Sequence, residues 1–181
     1  MIETERLLLR PLERADIDTL AGFYADADFR RYLTGGGRAL PEEKAIALIE
    51  RMLQAFDEDG FGQLAVVRTE DGALLGRCGL TEWQTRPWKP TTRAQASGET
   101  VTEIGWKLGA AYWGRGYATE AALAVRDDSF ARLGLQRLVA LIHPRNVASV
   151  RVAEKIGMAP AGGARIGLGR AVVYAVSADT P

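Results

Sequence analysis

Between Glu103 and Thr119 the chain passes from a strand pattern, Glu103-Ile104-Gly105-Trp106-Lys107-Leu108-Gly109, into Tyr112-Trp113-Gly114-Arg115-Gly116-Tyr117-Ala118-Thr119, a glycine-rich bend that opens a helix. A strand, a bend and a helix start in immediate succession point to an α/β architecture. The first N–H groups of such a helix have no partner within it and point outward. Glycines let a ligand approach the backbone, and the helix dipole favours an anion there. Arg115 adds a fixed positive charge to the same turn. A phosphate or pyrophosphate is the expected occupant. A nucleotide P-loop is excluded because Gly-Lys-Ser/Thr is absent, and a dinucleotide fingerprint because Thr119 stands where its third glycine belongs.

Strand and helix signals alternate along the rest of the chain. Leu7-Leu8-Leu9 predicts a first strand, closed by Pro11. Ile17, Leu20, Ala21 and Tyr24 recur at helical spacing, with Asp16 and Asp18 in the first turn. Gly35-Gly36-Gly37 reads as a loop. Pro41 opens a helix whose face is Ala45, Leu48, Ile49, Met52, Leu53 and Phe56. Gly60 to Val67 and Leu74 to Trp83 read as strands joined through Asp71-Gly72. Residues 84–100 carry no period and read as one long loop. Val101 to Leu108 is a strand. Gly116 to Leu133 is a helix with a small inner face (Ala118, Ala121, Ala122, Val125). Leu138 to Ile142 has the continuous apolar character of a strand covered on both faces. Asn146 caps a helix that ends at Gly157, and a last strand pair fits Met158 to Ala161 with Arg170 to Val176. The expectation is one α/β domain over residues 1–181 with a mixed sheet.

Charge narrows the function. The 181 residues hold 23 basic and 23 acidic side chains, and a balanced chain lacks the basic field of a general nucleic-acid binder. No run reaches the length of a membrane span, and the N-terminus lacks the form of a signal peptide. The single cysteine, Cys78, cannot form an internal disulfide, which fits a cytoplasmic protein. Residues 1–60 hold 8 basic and 13 acidic side chains; residues 104–181 hold 10 and 5. This is either scatter on a solvated surface or a bipolar cleft, with an anionic ligand on the C-terminal half and a cationic one near the N-terminal half.

The motifs resemble those of the GCN5-related N-acetyltransferase (GNAT) superfamily, in particular its ribosomal-protein alanine acetyltransferase (RimJ/RimL-like) branch. The resemblance runs from Thr4-Glu5-Arg6-Leu7-Leu8-Leu9-Arg10-Pro11 through Gly76-Arg77-Cys78-Gly79-Leu80 and the stretch 103–121 to Asn146-Val147-Ala148-Ser149 and Glu154-Lys155-Ile156-Gly157-Met158. It implies a mixed, mostly antiparallel sheet with a splayed parallel pair and helices on both faces. It implies acetyl-CoA as cosubstrate, no metal, and an amine acceptor, either a protein N-terminus or a small molecule. The family's pyrophosphate pattern falls on Trp113 to Ala118, with Trp113 in place of the usual Gln or Arg. The resemblance also implies that the backbone of Trp106, Lys107 and Leu108 pairs with the pantetheine arm. A domain that binds acetyl-CoA without catalysis is the alternative reading.

Individual candidates keep two readings each. Glu103, opposite the Ile104, Trp106 and Leu108 face, is an exposed strand acid or a general base for the ammonium of the acceptor. Ser149 is a core-facing serine or a hydrogen-bond donor to the coenzyme sulfur. The tyrosine that many family members carry four residues later is Ala153 here. Asn146 is an N-cap, a pantetheine contact, or both. Arg151 and Lys155 read as solvated helix charges, His143 as structural, and Cys78 as a packed strand residue. Trp83 and Trp88 either close over the acceptor or cover the sheet edge. The loop 84–100 is also a candidate contact for a second copy in a homodimer.

Overall fold

The computed structural model describes residues 1–32, 40–167 and 169–179; the Gly35-Gly36-Gly37 loop lies outside them. A nine-stranded sheet runs through the molecule. Its strands are β1 (Ile2–Glu3), β2 (Leu7–Pro11), β3 (Gln63–Arg68), β4 (Leu74–Thr85), β5 (Trp88–Thr91), β6 (Thr100–Leu108), β7 (Arg137–Ile142), β8 (Ala159–Ile166) and β9 (Gly169–Ser177). The order is β1-β2-β3-β4-β6-β7-β9-β8, with β5 on the side of β4. All pairings are antiparallel except β6 with β7. One register pair, Glu103 with Val139, links those two strands. Past it β6 keeps its partner β4 as far as Leu108, but has none on the β7 side.

Helices cover both faces. Helices α1 (Ile17–Ala25), α2 (Ala27–Arg30) and α3 (Glu42–Asp59) lie on one, α4 (Tyr117–Ala131) and α5 (Val147–Lys155) on the other. The face of α3 behaves as its periodicity predicts: Ala45 and Ile49 are fully buried, and join Leu20, Tyr24, Phe29 and Ala65. The small inner face of α4 does the same. Ala121, Ala122 and Val125 pack on Leu9, Val66, Cys78, Ile104 and Leu138, so the helix sits close to the sheet. Asn146 caps α5, its side-chain oxygen accepting from the Ser149 N–H at 3.2 Å. Among the described residues no helix is long and apolar enough to cross a membrane.

The expectations for the β3–β4 hairpin and for the five longest helical or apolar segments agree with these elements. Residues 84–100 differ. They are not one loop, because Trp83, Gln84 and Thr85 of β4 pair with Pro90, Lys89 and Trp88 of β5. A short strand with an exposed Lys89 and Pro90 has no apolar alternation to reveal it. The stretch that follows docks on the end of α3. Thr92 Oγ1 and Gln95 Nε2 donate to Glu58, and the Arg93 N–H donates to Asp59.

Two glycines of β4, Gly76 and Gly79, are fixed by contact: a Cβ on Gly79 would lie 2.3 Å from the Gly62 carbonyl oxygen. Gly76 sits opposite Leu108 at φ +147°, and a Cβ there would lie 2.3 Å from the carbonyl oxygen of Lys107. Only glycine lets β4 and β6 come this close at the end of β6, just before the glycine turn.

Candidate active site

A cleft of about 650 Å³ opens on the α1–α3 face where β6 and β7 part. Its floor is the β4–β6 ladder. Register places three rows side by side: Thr81 with Glu103, Gly79 with Gly105, and Arg77 with Lys107. Alternation along β6 therefore presents Glu103, Gly105 and Lys107 on the cleft side, while Ile104 and Leu108 enter the core against α4.

Glu103 is not an exposed strand acid. Its Oε2 accepts from the Trp83 indole N–H at 2.6 Å, and its Oε1 from the Leu141 N–H at 3.4 Å. That N–H belongs to β7 just past the last register pair, so the carboxyl occupies the point of divergence. Burial raises the carboxyl to about 7, against the opposing pull of the Trp83 and Leu141 hydrogen bonds and the Arg77 charge. A carboxylate tuned to neutrality on a cleft floor has the properties of a general base.

Asn146 and Ser149 line the same cleft from the start of α5. Asn146 Nδ2 donates to Ser149 Oγ at 2.9 Å, so the serine hydroxyl hydrogen is left for another acceptor. Ser149 is half-buried at the cleft wall, whereas Ala153 is fully buried in the core. His143 also faces the cleft, where its ring lies 5.4 Å from that of Tyr32 and its Nδ1 accepts from the Arg145 N–H. Arg151 and Lys155 are exposed. Cys78 is fully buried, and burial pushes its thiol up to about 12, which removes it as a nucleophile.

The glycine turn lies past the end of β6. Gly114 and Gly116 adopt φ +74° and +84°, and Gly116 precedes the first residue of α4. Trp113, Gly114, Arg115 and Gly116 are exposed, and Ala118 and Thr119 half-buried. The Tyr117 ring, by contrast, is buried, with the Arg6 guanidinium 4.7 Å above it. Only its backbone faces the turn's concavity by the helix rule. The Gly109 N–H donates to the Leu75 carbonyl, so alternation spends the Lys107 backbone on β4 and turns that of Trp106 and Leu108 to the open edge, where the Trp113 indole N–H takes the Leu108 carbonyl at 2.8 Å.

Several site residues carry no signal in the sequence. Arg6 donates to Glu120 Oε2 through Nε and to the Arg115 carbonyl through Nη1, at 2.8 and 3.1 Å. Thr4 Oγ1 and the Arg6 N–H both donate to Glu120 Oε1. The N-terminal segment thus clamps the glycine turn from across the molecule. Trp83 stands out in the sequence only for flanking the aperiodic stretch, yet it is the hydrogen-bond partner of Glu103. Arg77 meets Lys107 only because of strand register, which no local pattern encodes. Among the described residues no group of three or more His, Cys, Asp or Glu is placed to hold a metal.

Comparison with known proteins bears on this geometry. The family model for an acetyltransferase (GNAT) domain matches residues 6–159. The uncharacterized protein YkkB of Bacillus subtilis (strain 168) is 35% identical over 159 residues, covering 86% of this chain and 83% of YkkB. An acetyltransferase from Agrobacterium tumefaciens str. C58, solved by crystallography, superposes with a TM-score of 0.75 at 31% identity, over 97% of this chain and 92% of that one. RimL, a ribosomal L7/L12 α-N-protein acetyltransferase solved in complex with coenzyme A, shares the fold with a TM-score of 0.76 at 14% identity, over 98% and 97% of the two chains. With its family model spanning both the coenzyme-type turn and the strand that carries Glu103, the chain belongs to the GNAT acetyltransferases and is an acyltransferase.

Proposed function

We propose that this protein is an N-acetyltransferase that moves an acetyl group from acetyl-CoA to a primary amine by direct attack within a ternary complex. The observation that carries the reading is the position of Glu103, a carboxyl raised to about 7 at the point where β6 and β7 diverge. Residues 1–181 form the domain that does this, and a cytoplasmic location fits the single cysteine. Its motifs resemble those of the RimJ/RimL-like branch, and RimL shares the fold.

The chain fits the cosubstrate. The left-handed glycines and the outward N–H groups at the start of α4 form a cradle for a pyrophosphate, with Arg115 beside it. The open edge of β6, with the Trp106 backbone and the Leu108 N–H turned toward it, is a backbone ladder for an extended amide-bearing arm. Asn146, once its oxygen is used in the cap, orients Ser149 toward the same gap. Acetyl-CoA when bound supplies a thioester, an acyl donor with a good leaving group. A backbone N–H of β6 polarises its carbonyl.

Glu103 takes the proton of the acceptor ammonium, directly or through water, and frees the lone pair that forms the N–C bond. As the C–S bond breaks, the Ser149 hydroxyl donates to the thiolate. No enzyme nucleophile takes part, in keeping with the buried, undissociated Cys78. Glu103→Gln is expected to lower kcat about 100-fold or more, the usual contribution of a positioned base. Calorimetry should show coenzyme A affinity unchanged. Retained kcat at saturating amine would remove Glu103 from this role.

A further inference from the structure

The floor of the cleft has two cations for which the acetyl-transfer step has no use. Arg77 and Lys107 are cross-strand neighbours on its floor, two rows from Glu103. Neither forms a salt bridge with any described residue. Arg77 Nη1 donates to Gln63 Oε1 at 2.6 Å and Nη2 reaches Tyr24 Oη at 3.5 Å, while its Nε is buried without any partner. Among the described residues, Lys107 Nζ meets the face of the Phe29 ring, 4.6 Å from its centroid. Placing like charges side by side in a half-buried floor is unfavourable, and the Arg77 charge disfavours a protonated Lys107. Burial and the Arg77 charge together bring Lys107 down to about 7. Such an arrangement is stabilised by one thing above all, an anion that satisfies both.

Apart from Arg51 on α3, the charged groups of the remaining cleft lining are acidic. Glu103 lies at its other end, and Glu58, Asp59 and Glu82 line the wall beyond it. Between the poles Gly105 leaves the floor open, since a Cβ there would meet nothing within 4 Å. Four residue steps of extended strand separate Lys107 from Glu103, about 13 Å between Cα atoms, and the long basic side chains shorten that gap. A ligand lying along the floor therefore meets an acid at one end and two bases at the other.

We propose that Arg77 and Lys107 form an anion subsite, and that the acceptor is a small primary amine that also bears a carboxylate, its amine at Glu103 and its carboxylate between the two cations. This rests on the acetyl-transfer reading and narrows it: polyamines and other purely cationic amines are excluded as good acceptors.

Two series of matched acceptors test it. One sets α-amino acids against their decarboxylated amines; the other sets ω-amino carboxylates against the corresponding alkylamines. Thiol release with acetyl-CoA gives kcat/KM, and calorimetry on the coenzyme-A-loaded protein gives affinity without turnover. The expected result is a carboxylate preference of about tenfold or more in at least one series, the worth of one charged hydrogen bond. Arg77→Gln and, separately, Lys107→Met should bring that ratio close to one, and Arg77→Lys should retain part of it, with coenzyme A affinity unchanged. Two results overturn the subsite: no carboxylate preference in either series, or a loss in Arg77→Gln confined to coenzyme A affinity. A carboxylate preference in binding with no thiol release from any amine would uphold the subsite and sink the acetyl-transfer reading instead.

Discussion

Glu103 shows how much of a side chain's chemistry is set by its surroundings. The residue is an ordinary carboxylate in a strand, raised to about 7 by burial at a strand divergence. As a base it works when ionised, so kcat/KM should rise between pH 6 and 8 with an apparent pKa near 7. Trp83 opposes that rise in pKa by donating to the ionised form at 2.6 Å. Trp83→Phe should therefore shift the acidic limb of the pH–rate profile to higher pH. A profile that stays in place or moves to lower pH would show that the indole does not tune the base. The acid in the strand was legible from alternation, but its two hydrogen-bond partners lie 20 and 38 residues away in sequence. Local pattern does not reach that far.

At the scale of elements, the strand–turn–helix unit was the most legible part of the chain. Its glycines, its small helix face and its apolar strand are all local signals, and all appear where the periodicity puts them. What holds the unit in register was less legible. Glu120 in the first turn of α4 collects hydrogen bonds from Thr4 and from the backbone and side chain of Arg6. Loss of this clamp loosens the turn without removing any group from it. Glu120→Gln is expected to weaken coenzyme A binding about tenfold, the equivalent of one charged hydrogen bond, while circular dichroism reports an unchanged helix content. Gly76 sets the approach of β4 to β6 in the same way. Gly76→Ala drives a Cβ into the Lys107 carbonyl at an unfavourable φ, and should cost about 3 kcal/mol in chemical denaturation. The strand β5 was invisible in the sequence because an edge strand with Pro90 and Lys89 has no buried face to pattern.

For the molecule as a whole, the cleft is bought with stability. A half-buried lysine with no carboxylate partner among the described residues disfavours the folded state as long as it is protonated. Its folded pKa, about 7, lies below the ordinary 10.5. The unfolded chain therefore binds the proton more tightly, and the cost is fully present below pH 7 and relieved as pH rises toward 10.5. Lys107→Met should stabilise the protein at pH 6 by on the order of 2 kcal/mol, with the gain shrinking toward pH 10. Urea denaturation at the two pH values measures both, and a constant difference between them would show that the lysine is not strained by its burial.

The sequence alone determined the class of fold, the glycine turn ahead of α4, the strand that carries the acid and the helices that cover the sheet. Each of these depends on residue spacing within a single element, where side-chain period and backbone hydrogen bonding act locally. The tertiary structure decided which side chains meet: Trp83 and Leu141 at Glu103, Arg6 at Glu120, Arg77 beside Lys107. Those meetings follow from strand register and from the parting of β6 and β7, which are properties of the assembled sheet. A one-residue slip would turn every cleft side chain to the opposite face while leaving the local pattern of each strand unchanged.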